Sequence, residues 1–319
     1  MKPSKMDGVL VINKPSGMTS HDVVIQLRRI LHEKKIGHIG TLDPDATGVL
    51  PVCIGKATKI IQFLDDKDKC YEGTITLGIE TDTMDASGKI TRVSDSSKIK
   101  VDDVTNVLKD FIGEIDQIPP MVSAKKIKGE RLYKIARQGK TVDRSPIKVR
   151  IYDLKLIKFY QENIIGIDNY KNFAKFDFSV TCSKGTYVRT LAFDIGNKLG
   201  CGGHLSRLVR TRSGQWTIEK SVQLNEIKEN PQIVSSSIIS MDNALSFMRS
   251  VVVNETGKRK FINGVIVDTA DILSHNAEIK FDDNVRIHDI SGDLLGIGRA
   301  FQSVSKSINF KPIRVFANN

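Results

Sequence analysis

Residues 37–51 read Gly37-His38-Ile39-Gly40-Thr41-Leu42-Asp43-Pro44-Asp45-Ala46-Thr47-Gly48-Val49-Leu50-Pro51. Glycines and prolines are too dense here for a helix, and the only long apolar side chains are Ile39, Leu42, Val49 and Leu50. The stretch is expected to be an ordered loop. Pro44 pushes Asp43 away from helical backbone, and the glycines permit turns that side chains forbid. Such a loop holds one carboxylate, that of Asp43, in a fixed place. Alone, an Asp-Pro pair marks a plain surface turn as readily as a site, so the flanking chain has to decide.

Upstream, the apolar run Gly8-Val9-Leu10-Val11-Ile12 predicts a strand that ends at the turn Asn13-Lys14-Pro15-Ser16-Gly17. Thr19 and Asp22 form a capping-box pattern, and Val23, Val24, Leu27, Ile30 and Leu31 recur at helical spacing to about Lys35. Downstream, 57–64 reads as a short helix. Residues 71–77 read as a strand with Tyr71, Ile75 and Leu77 on one face. Thr81 to Gly88 is a polar turn. Residues 101–112 predict a helix with Val104, Leu108, Phe111 and Ile112 inward and Gly113 as its cap.

Residues 117–146 break the pattern. They carry Lys125, Lys126, Lys128, Arg131, Lys134, Arg137, Lys140 and Arg144, with Tyr133 and Ile135 among them. This predicts a partly helical basic flap able to lie along a phosphate backbone. Long strands follow at 147–160 and 173–182, with Ala174, Phe176, Phe178, Val180 and Cys182 on one face and a polar turn at 163–172 between them. Ser183-Lys184-Gly185-Thr186-Tyr187-Val188-Arg189 opens a helix to about Leu199, and 204–212 reads as a basic helix or turn. A polar connector spans 219–248, and the tail from about Val251 reads as a separate small β domain. Strands without strict alternation with helices predict an α+β class with a mainly antiparallel sheet.

The chain has 319 residues, 40% apolar and 27% charged, enough for one large domain and a small one. It contains no run of the ~20 apolar residues a membrane helix needs and no secretory signal, which predicts a cytoplasmic protein. Cys53, Cys70, Cys182 and Cys201 show no paired spacing, so neither a zinc site nor a disulfide framework is indicated. The net charge of +11 favours a polyanionic partner.

Three readings of Asp43 compete. A metal site with Asp45 and His38 is disfavoured because a chain extended across Pro44 aims the two carboxylates apart. Asp43-Pro44-Asp45-Ala46-Thr47 fits the DxDxT pattern of haloacid-dehalogenase-like phosphatases, but without the buried apolar strand that should precede it. The third reading makes Asp43 a lone nucleophile or base acting on a nucleic-acid sugar. It uses the net charge, the basic segments and the aromatics, and needs no cofactor.

The motif 37–51 resembles the catalytic motif of the TruB family of tRNA pseudouridine synthases. Further stretches match in the family's order: Asn13-Lys14-Pro15-Ser16-Gly17-Met18-Thr19-Ser20, Tyr71-Glu72-Gly73, Pro119-Pro120-Met121-Val122-Ser123-Ala124, Ser183 to Thr190, and His204-Leu205-Ser206-Arg207-Leu208 with Arg210-Thr211-Arg212-Ser213-Gly214. Ile39 and Cys53 are mild departures from the pattern.

The resemblance covers most of residues 8–216 and implies a pseudouridine synthase domain over 1–247, with the flap at 117–146. It also implies a PUA-like RNA-binding domain over 248–319. The implied reaction isomerises uridine 55 in the TΨC arm of tRNA. The implied enzyme is a stand-alone monomer without cofactor, metal or guide RNA, and an RNA-chaperone role is compatible with it.

Asp43 is the implied catalytic carboxylate and Arg189 the partner that keeps it ionised. Tyr71 is the platform for a flipped uracil, and a candidate base. Lys14 would support the loop or contact phosphate, His38 would fill the space the base vacates, and Tyr187 and Leu208 would line the uracil pocket.

Overall fold

The computed structural model describes residues 6–64, 67–123, 126–127, 129–132, 135, 138–164, 172–302 and 307–316. Its main body is an eleven-stranded sheet. The central path runs Val222–Gln223, Gly8–Lys14, Thr47–Ile54, Gly203–Ser213, Lys69–Leu77, Asn172–Cys182, Ile147–Asn163, Gly113–Gln117. Neighbours are antiparallel except at the Thr47–Ile54/Gly203–Ser213 and Gly8–Lys14/Val222–Gln223 contacts. The class is α+β, as the sequence predicts.

The Gly8–Lys14 strand is apolar at every position from Val9 to Ile12 because both of its faces are covered. Leu10 and Ile12 join the core under helices Ser20–Leu31 and Val188–Lys198, while Val9 and Val11 join a second core on the opposite face. That second core takes in Trp216, Ala244, Leu245 and Met248 together with Ile297 and Phe316 of the tail. The tail itself is a five-stranded sheet, Ser250–Val253 to Ile308–Val315, with its own core around Phe261, Val285, Ile287 and Phe310. The two sheets therefore share a core.

Several expectations need correction. Thr47 to Pro51 is the start of a strand and not loop. Pro51 is tolerated there because its carbonyl accepts from Ile39 on the side away from the Gly8–Lys14 ladder, so its missing N–H faces the same side. The first helix stops at Leu31, with His32 left-handed at φ 51. The helix predicted to Ile112 ends at Lys109; Gly113, at φ +111, opens the next strand, and Ile112 is exposed.

The segment 204–212 is neither helix nor turn. It is part of the central strand Gly203–Ser213. Its charged residues hide the pattern because the buried ones, His204 and Arg210, are satisfied by backbone carbonyls. Residues 219–248 are likewise part of the fold: Val222–Gln223 and Ile239–Ser240 pair with Gly8–Lys14, and Leu224, Ile227 and Val234 enter the main core.

Within 117–146, Lys126–Ile127 pairs with Glu130–Arg131, and Leu132 and Ile135 are buried. Lys125, Lys128, Tyr133, Lys134 and Arg137 lie outside the described residues, as does most of the 163–172 turn.

Candidate active site

The Thr47–Ile54 and Gly203–Ser213 strands pair only at Thr47↔Val209 and Gly48↔Arg210. Ahead of that point they part, and Asp43 stands in the opening, on the loop that runs into Thr47. Gly48 sits at the pinch with φ +99; a Cβ there would lie 2.3 Å from the Arg210 carbonyl oxygen, so only glycine lets the strands meet.

Two buried cations hold the loop by its carbonyls. Lys14 Nζ donates to Pro15 O at 2.8 Å, Met18 O at 2.6 Å and Pro44 O at 2.8 Å. Arg210 donates from Nε to Val49 O at 2.7 Å and from Nη2 to Gly40 O at 3.0 Å. Ser20, at the start of the first helix, adds a two-way link: its hydroxyl donates to Leu42 O at 3.1 Å and accepts from Leu42 N at 2.8 Å. Burial pushes the Lys14 amine down to about 8, against the pull of Asp45 and Asp43. At neutral pH it is still the ammonium its three acceptors require.

Arg189 reaches Asp43 from the helix Val188–Lys198. Its Nε lies 3.0 Å from Oδ2 and its Nη2 3.1 Å from Oδ1, a two-pronged pairing of fork on carboxylate. The other contacts tie in two more segments. Nη1 donates to Asp85 Oδ2 at 3.2 Å and to Thr83 O at 3.3 Å, and Nη2 to Val122 O at 2.9 Å. Arg189 thus joins the catalytic-loop candidate, the 81–88 turn and the start of the flap segment.

The 81–88 turn is itself docked on the central strand, Leu205 N to Met84 O at 3.0 Å and Ala86 N to Leu205 O at 3.1 Å. Asp85 accepts from the hydroxyls of Thr83 and Ser87, both at 2.6 Å.

An open cavity of about 560 Å³ lies beside Asp43, lined among others by Lys69, Tyr71, Lys184, Tyr187, Leu208 and Arg210. Its lining combines the apolar Leu208 and two rings with the cations Lys69, Lys184, Arg189 and Arg210. Tyr187 is fixed through its backbone: the Gln117 amide donates to Tyr187 O at 3.2 Å and accepts from Tyr187 N at 3.0 Å. Burial raises the Tyr71 phenol, with Arg210 opposing, so the ring is a neutral platform at pH 7 and not a standing base.

Asp43 keeps 41% of its side-chain surface, turned to the cavity. Crowding by protein on its other sides raises its carboxyl above the ordinary value, Arg189 pulls it down, and the Asp85 charge pushes it up again. The simple expectation that Arg189 settles the ionised form is thus incomplete, because desolvation outweighs the pairing. The sign for activity follows. A reaction that needs the carboxylate is lost as pH falls through this raised value, so the acid limb of kcat/KM should lie above the ~4 of a free aspartate. A pH–rate series from 4 to 8 measures it.

The site therefore brings together Asp43, Arg189, Tyr71, Tyr187 and Leu208. Of the two roles expected of Lys14, loop support or phosphate contact, its burial and three carbonyl acceptors fit the support beneath the loop. His38 is half-buried in the strand Ile36–His38 opposite Val52 and is not among the residues lining the cavity. Among the described residues, no group of three or more His, Cys, Asp or Glu is placed to hold a metal.

Nothing local in the sequence marks Asp85 or Arg210 as a site residue. Asp85 looks like one more turn residue between Thr83 and Ser87, and Arg210 like one charge in a basic run.

Comparison with known proteins places these features in context. The model of the TruB family pseudouridylate synthase N-terminal domain matches residues 28–188, and that of the tRNA pseudouridylate synthase B C-terminal domain matches 189–246. A Bacillus cereus protein named tRNA pseudouridine synthase B is 48% identical over 269 residues, covering 82% of this chain and 84% of that one. A Clostridium perfringens protein of the same name is 41% identical over 294 residues, 92% and 95% of the two chains.

Among solved structures, an H/ACA RNP bound to a substrate RNA containing 2′-deoxyuridine superposes with TM-score 0.71 at 26% identity, covering 98% of this chain and 85% of that chain. A Cbf5-Nop10-Gar1 complex gives 0.70 at 28%, covering 97% and 85%.

Proposed function

This chain belongs to the TruB family of pseudouridine synthases, and on that footing we propose that it isomerises uridine 55 in the TΨC arm of tRNA to pseudouridine. The observation that carries the reading is the Asp43 carboxylate gripped by Arg189 at the edge of a cationic, ring-lined cavity. The reaction breaks the N1–C1′ bond, turns the uracil, joins C5 to C1′ and releases the C5 proton. It is redox-neutral and takes in no other group. Asp43 acts as the ionised carboxylate, either on carbon as a nucleophile or on a sugar proton as a base; both routes start from the same charged oxygen. Arg189 orients that oxygen.

The uridine is out of reach inside a folded arm, so it must be extruded, at a cost of roughly a few kcal/mol. Tyr71 takes its ring by stacking, Leu208 walls it, and Tyr187 closes the near side. The basic 117–146 segment closes over the arm, and the residues 248–319, a PUA-like domain, give a second hold on RNA. His38, outside the cavity, fills the space that the base vacates in the RNA. The enzyme works in the cytoplasm as a monomer, without a guide RNA. The 41–48% identity to proteins named tRNA pseudouridine synthase B supports this over assembly into an RNP of the kind seen in the solved H/ACA neighbour at 26% identity.

Mapping pseudouridine by carbodiimide adducts and reverse transcription, with purified protein and an unmodified tRNA transcript alone, tests this. One stop in the TΨC arm is expected; no stop until guide RNA or partner proteins are added would overturn the stand-alone reading. Binding should also be steep in salt, because each neutralised phosphate releases counterion. For about five phosphate contacts the Kd should weaken by roughly two orders of magnitude from 50 to 200 mM salt, read by filter binding.

A further inference from the structure

A second concave site lies where the tail sheet meets the main one. It is a groove of about 560 Å³ lined by Gln62, Phe63, Lys67, Phe247, Arg249 and Asn284 among others. Phe247 is 46% exposed, although Leu245 and Met248 beside it are buried in the core shared by the two sheets. The Lys67 ammonium stands 4.0 Å from the centroid of its ring, an attraction to the ring face. Arg249 is balanced by Asp283. With Arg249 paired, Lys67 leaves the groove lining with a net positive charge.

We propose that this groove binds an unpaired nucleotide of the RNA substrate, with its base stacked on Phe247 and its phosphate on Lys67. The inference rests on the reading that the substrate is RNA. An exposed ring beside a cation is the pairing that single-stranded nucleic acid uses, since every base offers a π-face and every linkage a charge. Gln62 and Asn284 add side-chain amides to the lining.

The position fits as well. Lys67 lies two residues before Lys69, which lines the cavity next to Asp43. The shared core holds the two sheets together, so the groove and the active cavity keep a fixed relation to each other. On binding, Lys67 leaves the ring for phosphate and the base takes its place.

The test uses full-length protein and an unmodified tRNA transcript. Trp216 is the single tryptophan and is buried, so Phe247→Trp adds one exposed reporter. Its fluorescence should be quenched by the transcript. Phe247→Leu, which keeps apolar bulk, should weaken Kd by about 5- to 100-fold, whereas Phe247→Trp restores it. Lys67→Ala should lower the slope of log Kd against log salt by about one. Wild-type affinity in Phe247→Leu, or a bound transcript without quenching in Phe247→Trp, overturns the assignment. Failure of the wild-type protein to bind the transcript at all would instead count against the proposed function.

Discussion

Asp43→Asn is expected to lower turnover by at least about 10³- to 10⁴-fold while leaving tRNA affinity within about threefold. The amide keeps the shape of the side chain but carries no charge, so it can neither attack carbon nor take a proton from it. The fold should tolerate the change. Its loop is held by Lys14, Arg210 and Ser20 through backbone groups, none of which needs the Asp43 carboxylate.

Arg189 loses one partner in this variant but retains Asp85, Thr83 O and Val122 O. A carboxyl whose value is raised in the fold favours folding only while protonated, and that contribution is gone above the raised value. At pH 7 the wild-type charge is therefore a desolvation burden set against its Arg189 pairing, and removing both leaves stability nearly unchanged. Thermal melts and filter binding, run beside single-turnover assays, separate the three effects. A variant that melts far below wild type would show that Asp43 is structural.

Arg189→Ala should be the more disruptive change, lowering both activity and stability. It leaves Asp43 and Asp85 facing each other with no cation between them, and it unties the flap segment at Val122. Removing one partner of a fully buried ion pair costs about 3–5 kcal/mol; Asp43 keeps 41% of its surface, so solvent screening puts the loss here below that range, and turnover should fall by at least about 10²-fold as the Asp43 value climbs further. Two companions keep this interpretable. Arg189→Lys keeps the charge without the fork, so it cannot serve both oxygens of Asp43 and Asp85 together; its acid limb should move to higher pH. Asp85→Asn in the Arg189→Ala background should recover part of the stability, because it removes one of the two orphaned charges. An unmoved acid limb in Arg189→Lys would contradict the electrostatic role.

How much of this was legible beforehand varies residue by residue. The capping box at Thr19 and Asp22 is local chemistry, and it appears where the pattern put it. The face of Phe176, Phe178 and Val180 is period-two burial, equally local. The segment 204–212 misled because binary patterning assumes that a buried strand is apolar. Here Arg210 is nearly fully buried, yet it bonds to carbonyls of a loop about 170 positions away, and no local window contains that partner.

Asp85 was missed for the same reason. Its neighbours Thr83 and Ser87 explain it as a turn residue, and only the approach of Arg189 from a helix over a hundred positions later gives it another role. Lys14 shows the converse: the family resemblance drew attention to the right residue, while its burial assigned it to the loop rather than to RNA.

The central claim is that Asp43 drives cofactor-free isomerisation of one tRNA uridine. The direct measurement is release of labelled C5 hydrogen from an unmodified tRNA transcript, with purified protein and a chelator present. Stoichiometric release from a single TΨC-arm uridine, abolished in Asp43→Asn, is the predicted result. Tight binding with no release, or release that survives Asp43→Asn, would contradict it.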